Sequence, residues 1–166
     1  MDKRGNVLVA LLLIGFGILF LIFNFIPGMT IRTYWPFIFF ILAAGFFLPA
    51  MLVPSARKGL AALFIPGAIL LTLGLIFFYN TITQDWASWS FAWLLIPGSV
   101  GLGLMSSAWV GGWGQDTINV GFWMMMISLM FFAFVGSLFG AIFLKIGGPL
   151  VLIILGLFFV IRSIRR

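Results

Sequence analysis

Residues 7–26 read VLVALLLIGFGILFLIFNFI, a run of about 20 positions without a charge, and this run decides the fold. As a helix it would rise about 30 Å, which is the thickness of the hydrocarbon core of a bilayer. Pro27-Gly28 ends it, because the proline ring removes a backbone donor and glycine permits a turn. Met1-Asp2-Lys3-Arg4 ahead of it resembles the charged head of a secretory signal. The apolar run is longer than a cleavable segment, however, and Asn24-Phe25-Ile26-Pro27 offers no small-x-small cleavage site, so an uncleaved first span is expected.

The same texture continues along the chain. Of its 166 residues 64% are hydrophobic and 7% charged, with a mean hydropathy of +1.29. Ordinary soluble domains carry about 25% charged residues, so lipid is the expected solvent for most of these side chains. Further spans are predicted over about residues 35–53, 60–79, 89–108, 118–138 and 148–161, giving six transmembrane helices in an all-α integral membrane fold. The second opens on Trp35-Pro36, with proline in a favoured first-turn position and tryptophan at interfacial height. The last is short, and an earlier start near Ile142, with Lys145 reaching toward the headgroups, would lengthen it. Trp86, Trp89 and Trp93 at one end of the fourth span, with Trp109 and Trp113 at the other, fit two aromatic belts.

The formal charge of +6 comes from nine Lys and Arg residues against three Asp. They flank the spans and form no basic block with interleaved aromatics, so anionic lipid headgroups, not nucleic acid, are the partner they predict. With six spans, one side holds Lys3, Arg4, Arg57, Lys58, Arg162, Arg165 and Arg166, and the other Arg32 and Lys145. The positive-inside rule therefore puts both termini in the cytoplasm.

Three hairpins, over about residues 5–54, 59–110 and 117–164 of a single transmembrane domain, resemble one another. Their second helices align without gaps: Ala43 follows Pro36 by seven residues, Gly101 follows Leu94, and Gly156 follows Pro149. Asn24 and Asn80 end the first helices of two of them. Even-numbered repeats predict copies of the same orientation, gathered into a compact bundle.

Residues 34–42, YWPFIFFIL, and residues 148–157, GPLVLIILGL, together with a first helix ending near an Asn, here Asn24 or Asn80, resemble the membrane hairpin of LiaI/LiaF-like bacterial proteins. The resemblance is best over residues 5–48 and 147–161. It implies a multi-pass protein of the bacterial cytoplasmic membrane, associated with an envelope-stress sensor system. The soluble C-terminal domain of the LiaF-like members has no counterpart before Arg166.

The chain contains no Cys and no His, which removes disulfides, thiolates, imidazole ligands and His bases. Asp85 and Asp116 fall on opposite faces of the expected topology and so do not make one site. Lys145 reads as interfacial. Ile-Pro-Gly recurs at residues 26–28, 65–67 and 96–98, and the latter two predict kinks within spans at Pro66 and Pro97. Abundant small residues, including Gly136-x-x-x-Gly140, suit close helix packing, and Met124, Met125, Met126 and Met130 suit an adaptable surface.

No catalytic, cofactor-binding or metal-ligating residue is assigned, and no cofactor is implied. A non-enzymatic accessory or regulatory partner of another membrane protein is the leading expectation, with self-association as a further interaction. The alternative is a small transporter or channel for an apolar or weakly polar solute, lined by the kinked helices.

Overall fold

The computed structural model describes residues 3–25, 31–139 and 142–164, and these are helical almost throughout. In chain order the α-helices are α1 (Lys3–Phe25), α2 (Ile31–Tyr34), α3 (Phe37–Leu52), α4 (Arg57–Leu60), α5 (Phe64–Thr83), α6 (Trp89–Ala92), α7 (Leu95–Gly111), α8 (Gln115–Phe139) and α9 (Ile142–Ile164). Single turns of 3-10 helix at Pro54–Ala56, Ala61–Leu63 and Trp86–Ser88 join the short helices to the long ones. The Pro27-Gly28 stop lies outside the described residues.

Three continuous helical stretches among the described residues are long and apolar enough to cross a membrane: Pro54–Thr83, Gln115–Phe139 and Lys145–Ile164. A fourth arises if α6 and α7, which meet at an angle of 56°, count as one span. Leu13–Phe25, the later part of α1, and Phe37–Leu52 are shorter apolar stretches. The expectation of six full-length spans is thus met in part. Proline accounts for the shortfall in α3: Pro36 has no N–H to continue the ladder from α2, and at 16 residues α3 alone rises only about 24 Å. The sixth helix takes the earlier of its two expected starts, at Ile142.

The Ile-Pro-Gly kinks are displaced from where the sequence places them. Pro66 and Pro97 each occupy the third position of a helix, α5 and α7, where a missing donor costs nothing. The irregularity falls one turn earlier, because a proline ring collides with the carbonyl four residues before it. For Pro97 that carbonyl belongs to Trp93, and it turns to accept the Ile96 N–H at 3.0 Å. For Pro66 it belongs to Ala62, within the 3-10 turn. The Trp35-Pro36 junction makes the same short bond, Ile38 N–H donating to Trp35 O at 3.1 Å. Two aligned sites, Trp35 and Trp93, therefore carry the same backbone step.

Each long helix packs on the one before it and the one after it, and no substantial interface among the described residues joins α1 to α9. The expected compact bundle is instead a serial array. Every neighbouring pair is antiparallel. Gly15 faces Ile41, Gly67 faces Phe47 while Gly74 faces Phe39, Gly103 faces Ile65, Gly98 faces Ser128, and Gly148 faces Ala133. This alternation places Lys3 of α1 and Ile164 of α9 at the same end of the array.

Lipid-compatible helices gain nothing from hiding apolar surface, so their association depends on close approach and polar clamps. At two irregular turns a serine from the next long helix supplies such a clamp. Ser107 Oγ of α7 donates to Ala61 O at 2.7 Å, and Ser128 Oγ of α8 donates to Leu94 O. Ser107→Ala should lower stability by about 1 kcal/mol, since Ala61 O keeps the Phe64 N–H as a second partner. Unfolding in detergent followed by circular dichroism measures this, and a loss above about 3 kcal/mol would mean that the carbonyl has no other partner.

Candidate functional site

Two places in the array bring chemically distinctive side chains together. One is an apolar groove of about 230 Å³ between α5, α7 and α8. Leu75, Leu95, Leu102 and Met125 supply its walls, with Thr72, Ser99 and Ser128 among them. It opens outward, as the 55% and 47% exposure of Leu75 and Leu102 indicates. Two of its hydroxyls are already committed, Ser99 Oγ to Ile96 O at 2.7 Å and Ser128 Oγ to Leu94 O. The groove is therefore apolar in effect despite its serines.

The other is one end of the array, the end that carries the α3–α4 turn, the α4–α5 turn, the α7–α8 turn and the last turns of α9. Arg57 and Lys58 are exposed there, and Trp113 Nε1 donates to Lys58 O at 2.9 Å, tying the α7–α8 turn to α4. Among the described residues Trp109 is the most exposed large apolar one, at 84%. A groove of about 290 Å³ is lined by Met51, Arg57, Trp109 and Val110. Arg162, on α9, lies 5.4 Å over the Phe122 ring of α8, an attraction between a cation and an aromatic face.

The opposite end is aromatic, with few cations. Phe77 stacks on Trp89 at 5.2 Å and 8° between planes, and Trp35 lies 5.0 Å from Phe77. Beneath these rings Asn80 is fully buried, with Ser88 Oγ 2.6 Å from its Oδ1 and 2.7 Å from Asp85 O. Asn80 Nδ2 has no partner among the described residues. A hydroxyl carries one proton and cannot donate to both oxygens. Turning the amide over would let Nδ2 donate to Ser88, and Oδ1 would then be the unpaired atom. One amide group atom is left unsatisfied either way.

Residues singled out by sequence fall as follows. Asp85 follows the C-terminus of α5, where Gln84 takes a left-handed φ of 57° and its Nε2 donates to Thr81 O at 2.5 Å. Asp116 lies in the first turn of α8, at the other end of the array, so the two carboxylates stand apart by about the 25 Å length of α7. No group of three metal-ligating residues occurs among the described residues. Lys145 is exposed in the first turn of α9. Met125 lines the apolar groove and Met130 is 44% exposed. Gly136 is buried in α8, whereas Gly140 lies outside the described residues. Asn24 and Asn80, matched as repeat positions, differ in setting: Asn24 is exposed and donates from Nδ2 to Phe20 O at 2.8 Å. Ser107 and Ser128 belong to no motif of the sequence and Asn80 stands out there only as a repeat position, although polar side chains inside apolar runs are the available signal for interhelical clamps.

Comparison with protein-family models, curated proteins and solved structures finds no match for the chain.

Proposed function

We propose that the chain crosses a bacterial cytoplasmic membrane six times, as three hairpins with both ends in the cytoplasm, and acts as a non-enzymatic accessory or regulatory partner of another membrane protein. Up-and-down order supports the six crossings. So does the distance spanned by residues 31–52, which reach about 33 Å when α2 and α3 are taken together. The end shared by Lys3, Arg57, Lys58 and Arg162 is the cationic one, as the cytoplasmic side would be.

The observation that carries the association role is the bareness of α9. Only a stripe including Gly148, Leu152, Leu155 and Arg162 is turned toward α8, while Ile146, Leu150, Ile153, Ile154, Leu157 and Ile161 are each more than half exposed. An apolar helix held along one stripe at the end of a serial array is suited to receive a partner helix. The resemblance to LiaI/LiaF-like hairpins makes an envelope-stress sensor the first partner class to try.

A photo-reactive residue at Ile153 should give a discrete protein adduct in cells, and one at Leu152 should crosslink within the chain. Lipid adducts alone at Ile153, Ile154 and Leu157 would defeat this role. The groove between α5, α7 and α8 favours a second reading, a carrier for an apolar or weakly polar solute. Solute movement by the purified chain in liposomes would favour it over the first.

A further inference from the structure

The groove at the cationic end joins two chemistries that rarely share a water-facing surface. Met51, Val110 and Trp109 are the apolar residues that line it, and Arg57, which carries a guanidinium, lines it with them. Met51 is 55% and Trp109 84% exposed. Arg57 and Lys58 make no side-chain hydrogen bond or ion pair among the described residues. Asp116, the acid in the first turn of α8 at this end, pairs with neither of them among the described residues. The turn is nonetheless held, by Trp113 donating to Lys58 O and by the 3-10 turn Pro54–Ala56 before it.

We propose that this groove binds the headgroup of an anionic phospholipid, the Arg57 guanidinium meeting the phosphate and the apolar lining meeting the glycerol and upper acyl chain. A planar fork of donors fits phosphate oxygens in pairs, which a lysine ammonium cannot match. An indole prefers the boundary between headgroups and hydrocarbon, where Trp109 ceases to be an exposed apolar burden. Lys58 beside Arg57 adds attraction to an anionic leaflet. A free phosphate would use the guanidinium and leave Met51, Val110 and Trp109 without a role, so the lipid is the better fit. The proposal rests on the membrane reading above.

The full chain is reconstituted in vesicles of phosphatidylglycerol and phosphatidylcholine in equal parts, floated, extracted gently, and its retained lipid identified by native mass spectrometry. The wild type should retain phosphatidylglycerol about fivefold over phosphatidylcholine. Arg57→Gln should bring the ratio near one, Arg57→Lys should fall between, and Arg32→Gln, at the other end, should match the wild type. Equal enrichment in wild type and Arg57→Gln would overturn the proposal. Displacement of the lipid by millimolar inorganic phosphate would overturn it in favour of a simple anion site. A chain that does not float with the vesicles would instead remove the membrane reading, and the lipid site with it.

Discussion

Gly101→Ala is expected to unseat α7 from α8 and to cost about 3 kcal/mol, the upper end for an overpacked interior. A methyl group at position 101 would fall on the carbonyl oxygen of Gly121 and 2.8 Å from Met125 N, both in the backbone of α8. A flexible side chain could swing aside, but two helix backbones have to separate. Gly121 presents the reciprocal problem, since its added methyl would come 2.5 Å from Gly101 O. Because the two glycines share one contact, the double alanine variant should cost less than the sum of the single ones. Gly17→Ala is the control: nothing lies within 4 Å of an added methyl there, and the helix propensity of alanine makes the change neutral to stabilising by up to about 1 kcal/mol. Equilibrium unfolding in detergent measures all four, and equal effects at Gly101 and Gly17 would show that α7 and α8 are not in close contact.

Asn80 carries the second large effect, and its sign depends on the replacement. Asn80→Asp puts a carboxylate where no water reaches and where Asp85 O already competes for the one Ser88 proton, so a loss of about 3 kcal/mol or more is expected. Asn80→Leu removes the unpaired amide atom and leaves the Ser88 to Asp85 bond of 2.7 Å intact. Its effect should stay within about 1 kcal/mol, because the lost hydrogen bond and the relieved desolvation oppose each other. The same unfolding measurement separates them. A leucine variant as damaged as the aspartate variant would mean that the amide is fully satisfied in the native state.

These sites differ in how far sequence exposes them. Apolar runs located the helices well, since a residue type excluded from water announces itself wherever it sits. Pro66 and Pro97 announced irregularity but misplaced it, because a proline disturbs the carbonyl four residues earlier and sits comfortably in a first turn. Trp93 and Leu94 accordingly interrupt a segment read as one span. The pairing of Gly101 with Gly121, and of Ser107 with Ala61, had no local signal, because each joins residues brought together only by packing.

Two properties of the protein were already determined by the order of its amino acids: helices apolar enough for a membrane, and cations confined to the ends of the apolar runs. Both follow from the solvent preference of single side chains, which no fold is needed to express. Which helix lies against which was decided by tertiary structure alone. In a soluble helix the polar face points away from the core, but here α3, α5, α7 and α8 carry no polar stripe along one side, and periodicity names no packing face. Shape chose the partners instead, through glycines that let backbones meet and serines that reach Ala61 O and Leu94 O in the irregular turns ahead of Pro66 and Pro97. That choice made a serial array of the six long helices, left α9 bare along most of its surface, and set Arg57 beside Trp109.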